Sequence, residues 1–236
     1  MQTMRETNSG CMGQAQRAGE FFKKLSPSAL RDLESMEFPT AYPPGVLLFS
    51  EKSAATALFI ILSGEVKLSI NSSEGKRLIL SIAKAGDVLG LSAVLSGLPS
   101  EMTAEVLYPA KIAVIERSQF LKFLSRHPEA YQTVTEELSL QYKVACEQLR
   151  TVALSNSAPE KLARLLLDWS ESGQKTECGT RFRFSLTHEE IGEFIGASRE
   201  TVTRTLSTFK SRRLVAFHGS TLTIPSRVAL ESLAGI

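Results

Sequence analysis

The segment from Thr187 to Leu206 constrains the fold more tightly than any other part of the chain. It begins with Thr187-His188-Glu189-Glu190, a capping box in which the threonine hydroxyl bonds the amide of Glu190 and the carboxylate returns to the cap amide. Gly196 can end this helix because glycine accepts a positive φ, and Ser198 can cap the next one. The segment therefore predicts two short helices joined by a glycine turn.

The second helix of this pair has two chemically different faces at 100° per residue. Its apolar face consists of Val202, Leu206 and Phe209, and its polar face of Glu200, Thr203, Arg204 and Ser207, with Arg199 at the leading end. Arginine can bond guanine O6 and N7 bidentately, and glutamate can accept from cytosine N4. We therefore predict that Arg199, Glu200 and Arg204 read base edges in the major groove of double-stranded DNA.

The residues around this helix support the same interpretation. The formal net charge of the chain is only +2, but five basic residues lie between Arg199 and Arg213 against the single acid Glu200. Beyond them, Leu214 to Phe217 and Thr221 to Ile224 flank the turn at residues 218–220 and predict a β-hairpin. The hairpin would lie beside the two helices as a wing.

The amino-terminal half is rich in short β-prone runs separated by glycine. These runs are Val46–Phe49, Leu58–Leu62, Val66–Ile70, Leu78–Ile82 and Ile112–Ile115. Short, regularly spaced strands of this kind predict an antiparallel β-barrel or sandwich. The whole chain is therefore expected to be α+β, with a β-domain first and a winged helix-turn-helix last.

A long helix is predicted from Pro128 to about Leu154, between these two parts. Its apolar stripe consists of Tyr131, Val134, Leu138, Tyr142, Ala145, Leu149 and Val152, at coiled-coil spacing with one stutter. The helix would be roughly 40 Å long, too long for a small barrel to cover, so we expect a homodimer, although packing on its own domain is the alternative. The expected domains are residues 1–127, a dimerisation helix and hinge at 128–157, and residues 158–236.

Composition narrows the remaining classes of function. The first residues lack the apolar stretch of a secretion signal and no apolar run is long enough to span a membrane, so a cytoplasmic protein is expected. The three cysteines and three histidines show no metal-ligand spacing, and no metal site is predicted. An enzyme built on a cupin-like barrel would need clustered histidines and carboxylates, which the sequence lacks.

The run Thr187-His-Glu-Glu-Ile-Gly-Glu-Phe-Ile-Gly-Ala-Ser-Arg-Glu-Thr-Val-Thr-Arg resembles the DNA-binding signature of the cyclic AMP receptor protein and fumarate-nitrate reduction regulator superfamily. The resemblance extends over nearly the whole chain, including Gly64, Gly86-Asp87 and Gly90 in the β-domain, the long helix and the wing. It implies an amino-terminal cyclic-nucleotide-binding-like jelly roll.

Several functional expectations follow from this resemblance. Arg199, Glu200 and Arg204 would read a palindromic TGTGA-like site, and Thr187, Ser198 and Thr203 would contact phosphate. RNA polymerase is implied as a partner. One departure from the family pattern is Thr205, where an apolar residue is common, so the second helix would be slightly less firmly anchored.

The effector pocket is where the sequence departs from the nucleotide-binding members of the superfamily. Its candidate residues are Gly90, Leu91, Ser92, Met102, Thr103 and Cys146. Members that bind a cyclic nucleotide have a glutamate after the glycine and an arginine before the serine or threonine, where this chain has Leu91 and Met102. A buried phosphate without its arginine loses several kcal/mol of charge-assisted bonding. We therefore expect no cyclic AMP, no cofactor and an unknown effector.

Two hypotheses remain for the carboxy-terminal domain. The favoured one is a sequence-specific transcription regulator that binds DNA. The alternative is a sensory module whose carboxy-terminal domain binds a protein partner, and the basic stretch from Arg199 to Arg213 argues against it.

Overall fold

The computed structural model describes residues 20–36, 38–155, 157–171, 173–184 and 186–235. These residues form two compact units, which divide within a long helix between Val144 and Ala145. The first unit comprises the described residues up to Ile70 together with Leu80–Val144, and the second comprises Asn71–Ile79 and the described residues from Ala145 onward. None of the helices in the described ranges has the length and hydropathy required to cross a membrane.

The helices of the amino-terminal part pack against one face of a sheet. They are α1 (Glu20–Lys23), α2 (Pro27–Ser35), α3 (Leu91–Ser96), α4 (Arg117–Arg126) and the long α5 (Ala130–Leu154). Ser26 caps α2 by accepting a hydrogen bond from the Ala29 amide at 3.2 Å, and Pro27 occupies the first turn. The predicted long helix is therefore present, and a short capped helix precedes the sheet.

Six strands form one antiparallel sheet in this part of the chain. They are β1 (Phe38–Tyr42), β2 (Leu47–Phe49), β3 (Ala57–Asn71), β4 (Arg77–Ala83), β5 (Val88–Leu89) and β6 (Thr103–Glu116). The main path is β1-β6-β3-β4, with β2 paired to β6 and β5 paired to β3. The predicted antiparallel β-domain is confirmed, but among the described strands no pairing links β4 to β1, so the sheet is not a closed barrel.

The central pair, β3 and β6, is longer than the sequence predicts. Leu58–Leu62 and Val66–Ile70 were expected as separate strands because Gly64 reads as a turn, but both belong to the single strand β3. The register shifts between Ile61 and Val66 instead, and Gly64 has φ +89°. A Cβ there would collide with the backbone of Pro109 and Ala110, so glycine is required for a bulge rather than for a turn.

Two apolar cores lie on opposite faces of this sheet. One joins the helices to the sheet through Leu33, Leu58, Ile60, Phe120 and Phe123. The other contains Phe59, Ile61, Val66, Val106 and Ile112, which lie on β3 and β6. The face of the sheet opposite the helices is thus lined by packed apolar side chains.

The second unit contains the remaining elements. They are α6 (Ala158–Ser170), β7 (Gln174–Thr176), β8 (Gly179–Arg183), α7 (His188–Ile195), α8 (Arg199–Ser211), β9 (Ala216–His218), β10 (Thr221–Ile224) and α9 (Arg227–Ala234). The strands form an antiparallel sheet in the order β7-β8-β10-β9. The single tryptophan, Trp169, packs edge-on against the rings of Phe184 and Phe194, which links α6 to both the sheet and α7.

Candidate nucleic-acid interface

The first helix of the interface, α7, begins with the predicted capping box. The Thr187 hydroxyl accepts from the Glu190 amide at 3.1 Å, and the Thr187 amide donates to Glu190 Oε2 at 3.0 Å. Ile191 and Ile195 are fully buried on the inner face of the helix. The two bonds and this apolar face fix where the helix starts and which side faces the core.

The turn after α7 depends on two glycines that serve different purposes. Gly196 ends the helix with φ +64°, which is the predicted role. The position of Gly192 between Ile191 and Ile195 predicts that another helix approaches closely there, but its nearest neighbour is the turn itself. A Cβ at this position would lie 2.6 Å from the Ala197 carbonyl oxygen, and the Ala197 amide donates to the Gly192 carbonyl at 2.9 Å. Gly192 therefore allows the chain to turn back tightly over its own helix.

The second helix, α8, separates its buried and exposed side chains as predicted. Val202, Leu206 and Phe209 are buried, whereas Arg199, Glu200, Thr203, Arg204 and Ser207 are exposed. Thr205 is also buried, and its hydroxyl donates to the Thr201 carbonyl at 2.8 Å. The hydroxyl is thus satisfied within the helix, so this departure from the family pattern leaves no unpaired polar group in the core.

The leading end of α8 holds Glu200 in its ionised form. Ser198 caps the helix by accepting from the Thr201 amide at 3.2 Å. Hydrogen bonds from the backbone amide of Glu200 and from the Ser198 hydroxyl lower the pKa of the Glu200 carboxyl, and the positive charge of Arg199 lowers it further. An ionised carboxylate can only accept hydrogen bonds, which suits the amino edge of cytosine.

The hydroxyls predicted to contact phosphate all have partners within the protein. The Thr187 hydroxyl lies 3.0 Å from Glu190 Oε2, and the Thr203 hydroxyl lies 2.9 Å from the Arg199 carbonyl. Both acceptors lack hydrogens, so each threonine hydroxyl donates its single hydrogen to them. Phosphate contacts by Thr187, Ser198 and Thr203 stay predictions that require these hydroxyls to exchange partners.

One residue of the interface was not singled out from the sequence. The His188 imidazole Nδ1 lies 2.7 Å from the Thr203 hydroxyl, so the first residue of α7 is bonded to the exposed face of α8. The two positions are fifteen residues apart. A histidine at the start of a helix carries no sequence signal for such a bond, because the bond depends on the angle between the helices.

The predicted wing is present beside the helix pair. β9 and β10 form the hairpin, with Thr221 opposite His218 and Leu222 opposite Phe217. Leu222 is buried, and Phe217 packs edge-on against Phe184 of the segment that follows β8. The turn residues 218–220 are exposed, as an element that lies along a binding surface requires.

Comparison with known proteins accounts for both parts of the chain. Residues 160–233 match the Crp-like helix-turn-helix domain, and residues 39–127 match the cyclic nucleotide-binding domain. The chain belongs to the CRP/FNR superfamily of transcription regulators. This superfamily member accordingly has a helix-turn-helix DNA-binding domain preceded by a domain of the cyclic-nucleotide-binding type.

Relatives and solved structures of this superfamily cover most of the chain. The CRP-like cAMP-activated global transcriptional regulator of Mycobacterium tuberculosis is 27% identical over 88% of this chain and 92% of its own. The structure of FixK2 from Bradyrhizobium japonicum has a TM-score of 0.74 at 21% identity and covers 84% of this chain and 96% of its own. The c-di-GMP responsive global regulator CLP of Xanthomonas campestris has a TM-score of 0.72 at 18% identity, over 85% of this chain and 100% of its own.

Three effector-pocket candidates of this superfamily member lie at the start of α3. Their contacts are with other residues of the protein. Gly90 precedes α3 with φ +80°, and Leu91, which is 1% exposed, packs into the core between helices and sheet. The Ser92 hydroxyl donates to Glu101 Oε1 at 2.5 Å. Neither the Leu91 nor the Ser92 side chain offers an unpaired charged group to a ligand.

Met102 and Thr103 follow Glu101, which accepts the hydrogen bond from Ser92, whereas Cys146 lies in α5. Met102 is half-buried, and the Thr103 hydroxyl accepts from the Glu51 amide at 3.0 Å. Cys146 is a half-buried free thiol that belongs to the second unit. In the part of the chain that the structure describes, no three His, Cys, Asp or Glu side chains are grouped so that they could hold a metal ion.

The predicted dimer stripe of α5 is divided between two environments. Val134 is 2% exposed and belongs to the core of its own unit, with Leu138 packed against that core. Tyr131, Tyr142 and Leu149 are exposed at 49%, 74% and 66%. Val134 is therefore buried within its own chain. A partner would contact the exposed residues of the stripe instead.

Proposed function

We propose that the protein is a sequence-specific transcription regulator that binds, as a homodimer, a palindromic TGTGA-like site in double-stranded DNA. The observation that carries this proposal is the exposure of Arg199, Glu200 and Arg204 together at the leading end of the capped helix α8. A helix of this kind inserts into the major groove with its amino-terminal residues against base edges. Arg199 and Arg204 would each bond a guanine, and Glu200 a cytosine.

The homodimer is supported by the exposed face of α5. Tyr131, Tyr142, Ala145 and Leu149 lie within about 60° of one another around the helix axis at 100° per residue. Large apolar side chains exposed at this spacing are typical of a helix that packs against a second helix. A twofold axis along α5 would give each half of a palindromic site its own α8.

The effector of this regulator is proposed to be a molecule other than cyclic AMP. Leu91 and Met102 replace the acidic and basic groups that hold the ribose and the cyclic phosphate in nucleotide-binding members. A buried phosphate without a cationic partner is several kcal/mol less favourable than a paired one. Effector chemistry varies among proteins of this fold, since the Mycobacterium relative is described as cAMP-activated and CLP as c-di-GMP responsive.

Binding to a labelled palindromic TGTGA duplex tests the function. We expect submicromolar affinity at low salt, weakening steeply as the salt concentration rises, and a much lower affinity for a scrambled duplex of equal composition. Equal affinity for both duplexes would contradict sequence-specific reading. If no duplex of any sequence binds at low salt, the alternative of a protein partner gains support, and RNA polymerase is the first partner to assay.

Calorimetric titration with cyclic AMP tests the effector proposal separately. We expect no heat of binding at micromolar protein. Saturable binding with a micromolar dissociation constant would show that Leu91 and Met102 do not exclude the nucleotide.

A further inference from the structure

We propose that His188 is a positioning residue that holds the base-reading end of α8 in place through Thr203. The inference rests on the proposed reading of DNA by α8. Its basis is the 2.7 Å contact between His188 Nδ1 and Thr203 Oγ1, which joins the two helices of the motif on their exposed side. His188 is thus assigned an indirect role, through the geometry of α8.

The direction of this hydrogen bond follows from counting hydrogens. The Thr203 hydroxyl lies 2.9 Å from the Arg199 carbonyl oxygen, which can only accept. A hydroxyl has one hydrogen, so Thr203 donates it to Arg199 and can only accept from the imidazole. His188 must therefore carry its hydrogen on Nδ1 and donate it to Thr203.

The two bonds form a chain that reaches the start of the recognition helix. His188, the first residue of α7, bonds Thr203, and Thr203 bonds the backbone of Arg199, the first residue of α8. Arg199 and its neighbour Glu200 are two of the three proposed base-reading residues. A movement of α8 relative to α7 would therefore stretch the bond between His188 and Thr203, and the Thr203 hydroxyl is itself bonded to the backbone that carries these side chains.

Apolar packing holds the helix pair on its buried side. Ile191 and Val202 are fully buried. Beside His188 lies an open cavity of about 360 Å³, which is also lined by Ile191, Leu206 and the wing residues Gly219 and Ser220. Since this cavity leaves space around the imidazole, the hydrogen bond to Thr203 adds a constraint at the exposed edge of the pair, beyond the apolar contacts.

A double-mutant cycle in the full chain tests the coupling. His188→Ala removes the donor, Thr203→Val removes the acceptor while keeping the shape, and the third variant combines them. We expect each single variant to bind the cognate duplex about twofold to tenfold more weakly, as for the loss of one hydrogen bond. The double variant should lose no more than Thr203→Val alone, because that change already breaks the bond to His188 together with the bond to the Arg199 carbonyl. Independent, multiplicative losses would overturn the proposal.

Two matched variants separate the bond from other effects. In asparagine the amide nitrogen occupies the place of Nδ1, so His188→Asn should restore affinity to within about twofold of the wild type. Thr208→Val removes another hydroxyl that donates to a carbonyl of α8, 3.1 Å away at Arg204, and should not couple to His188→Ala. An asparagine variant as weak as the alanine variant would show that the donor is irrelevant.

The salt dependence of binding distinguishes positioning from direct contact with phosphate. Each phosphate contact contributes about 0.9 to the slope of log affinity against log salt concentration. We expect His188→Ala to keep the wild-type slope while its preference between bases at the Arg199 and Glu200 positions relaxes. A slope reduced by about one unit, with base preference unchanged, would assign His188 to a phosphate instead.

Failure of this inference can be told apart from failure of the proposed function. The duplex used throughout should be one that the wild-type protein selects from a random library. A wild-type protein that selects no sequence contradicts the function itself. One that selects a sequence, but in which His188 and Thr203 do not couple, contradicts only the positioning role.

Discussion

Replacing Gly192 by alanine tests how closely the turn between α7 and α8 packs against α7. Two effects of opposite sign on stability act at this position. In an exposed helix, alanine is about 1 kcal/mol more favourable than glycine. Here, however, the new Cβ would lie 2.6 Å from the Ala197 carbonyl oxygen. An ordinary separation of about 3.3 Å between carbon and oxygen would require the turn to move by roughly 0.7 Å.

The expected cost of that movement exceeds the gain in helix propensity. Overpacking costs about 1–3 kcal/mol, and the 2.9 Å bond from the Ala197 amide to the Gly192 carbonyl contributes about 1 kcal/mol more if it is lost. Subtracting the propensity gain leaves a net destabilisation of about 2 kcal/mol. For the second unit, which spans about 100 residues, this corresponds to a decrease of about 8–16 °C in the melting temperature.

Tryptophan fluorescence can follow this change selectively. The chain has one tryptophan, Trp169, whose ring contacts Phe194 in α7, so its emission reports on the unit that contains the turn. Gly196→Ala is the matched control. Its Cβ would meet only Val152 Cγ1, at an ordinary 3.5 Å, so the left-handed backbone should cost it about 1 kcal/mol without displacing α8.

A Gly192→Ala variant with an unchanged or raised melting temperature, and with the DNA affinity of the wild type, would contradict this expectation. That result would mean that the turn has room for a side chain. We expect the opposite: the Gly192 variant should lose DNA affinity even well below its melting temperature, and the Gly196 variant should not.

Four further predictions concern single residues. Arg204→Ala should weaken binding to the cognate duplex by about 1–3 kcal/mol and relax the preference at one base pair of each half-site, and unchanged preference in a competition assay would refute its role. Leu149→Glu should weaken self-association at least about tenfold in sedimentation velocity, whereas Leu140→Glu, on the opposite side of α5, should not. Thr187→Ala should destabilise the second unit by about 1 kcal/mol in fluorescence-detected unfolding, through loss of the cap; no change would contradict the capping box. Because the pKa of Glu200 is lowered, more of its carboxylate stays ionised at about pH 4.5 than in an ordinary glutamate, so preference for its base pair should fade only below the pH at which an ordinary carboxyl is half protonated; fading at or above that pH would contradict this.

The helix-turn-helix could be predicted from sequence because its signals are local. The capping threonine, the glycine that ends α7 and the serine that caps α8 each act within four residues of their own position, and each is found as expected. The wing was predictable for the same reason. Local hydrogen bonding and backbone conformation decide these features before any long-range packing is known.

Features that depend on the distance between separate elements could not be predicted in the same way. Gly64 reads as a turn in sequence, and only the pairing of β3 with β6 shows that it forms a bulge. Val134 has the spacing of the dimer stripe, but it lies about 60° from the exposed centre of the stripe and packs into its own core. The bond between His188 and Thr203 likewise requires the angle between two helices, which neither residue encodes alone.

Gln148 in α5 has a consequence for the order in which the chain can fold. Its side-chain amide donates to the carbonyl of Phe194 at 2.8 Å and to that of Ile79 at 3.0 Å. The second unit therefore includes residues 71–79, which are synthesised well before the rest of the unit. During synthesis, residues 71–79 leave the ribosome before every other part of that unit. They cannot form their contacts in the unit until residues from 145 onward have been synthesised. Such distant contacts close slowly, so residues 71–79 should reach their native packing in this unit late, after α5 and α7 have been translated.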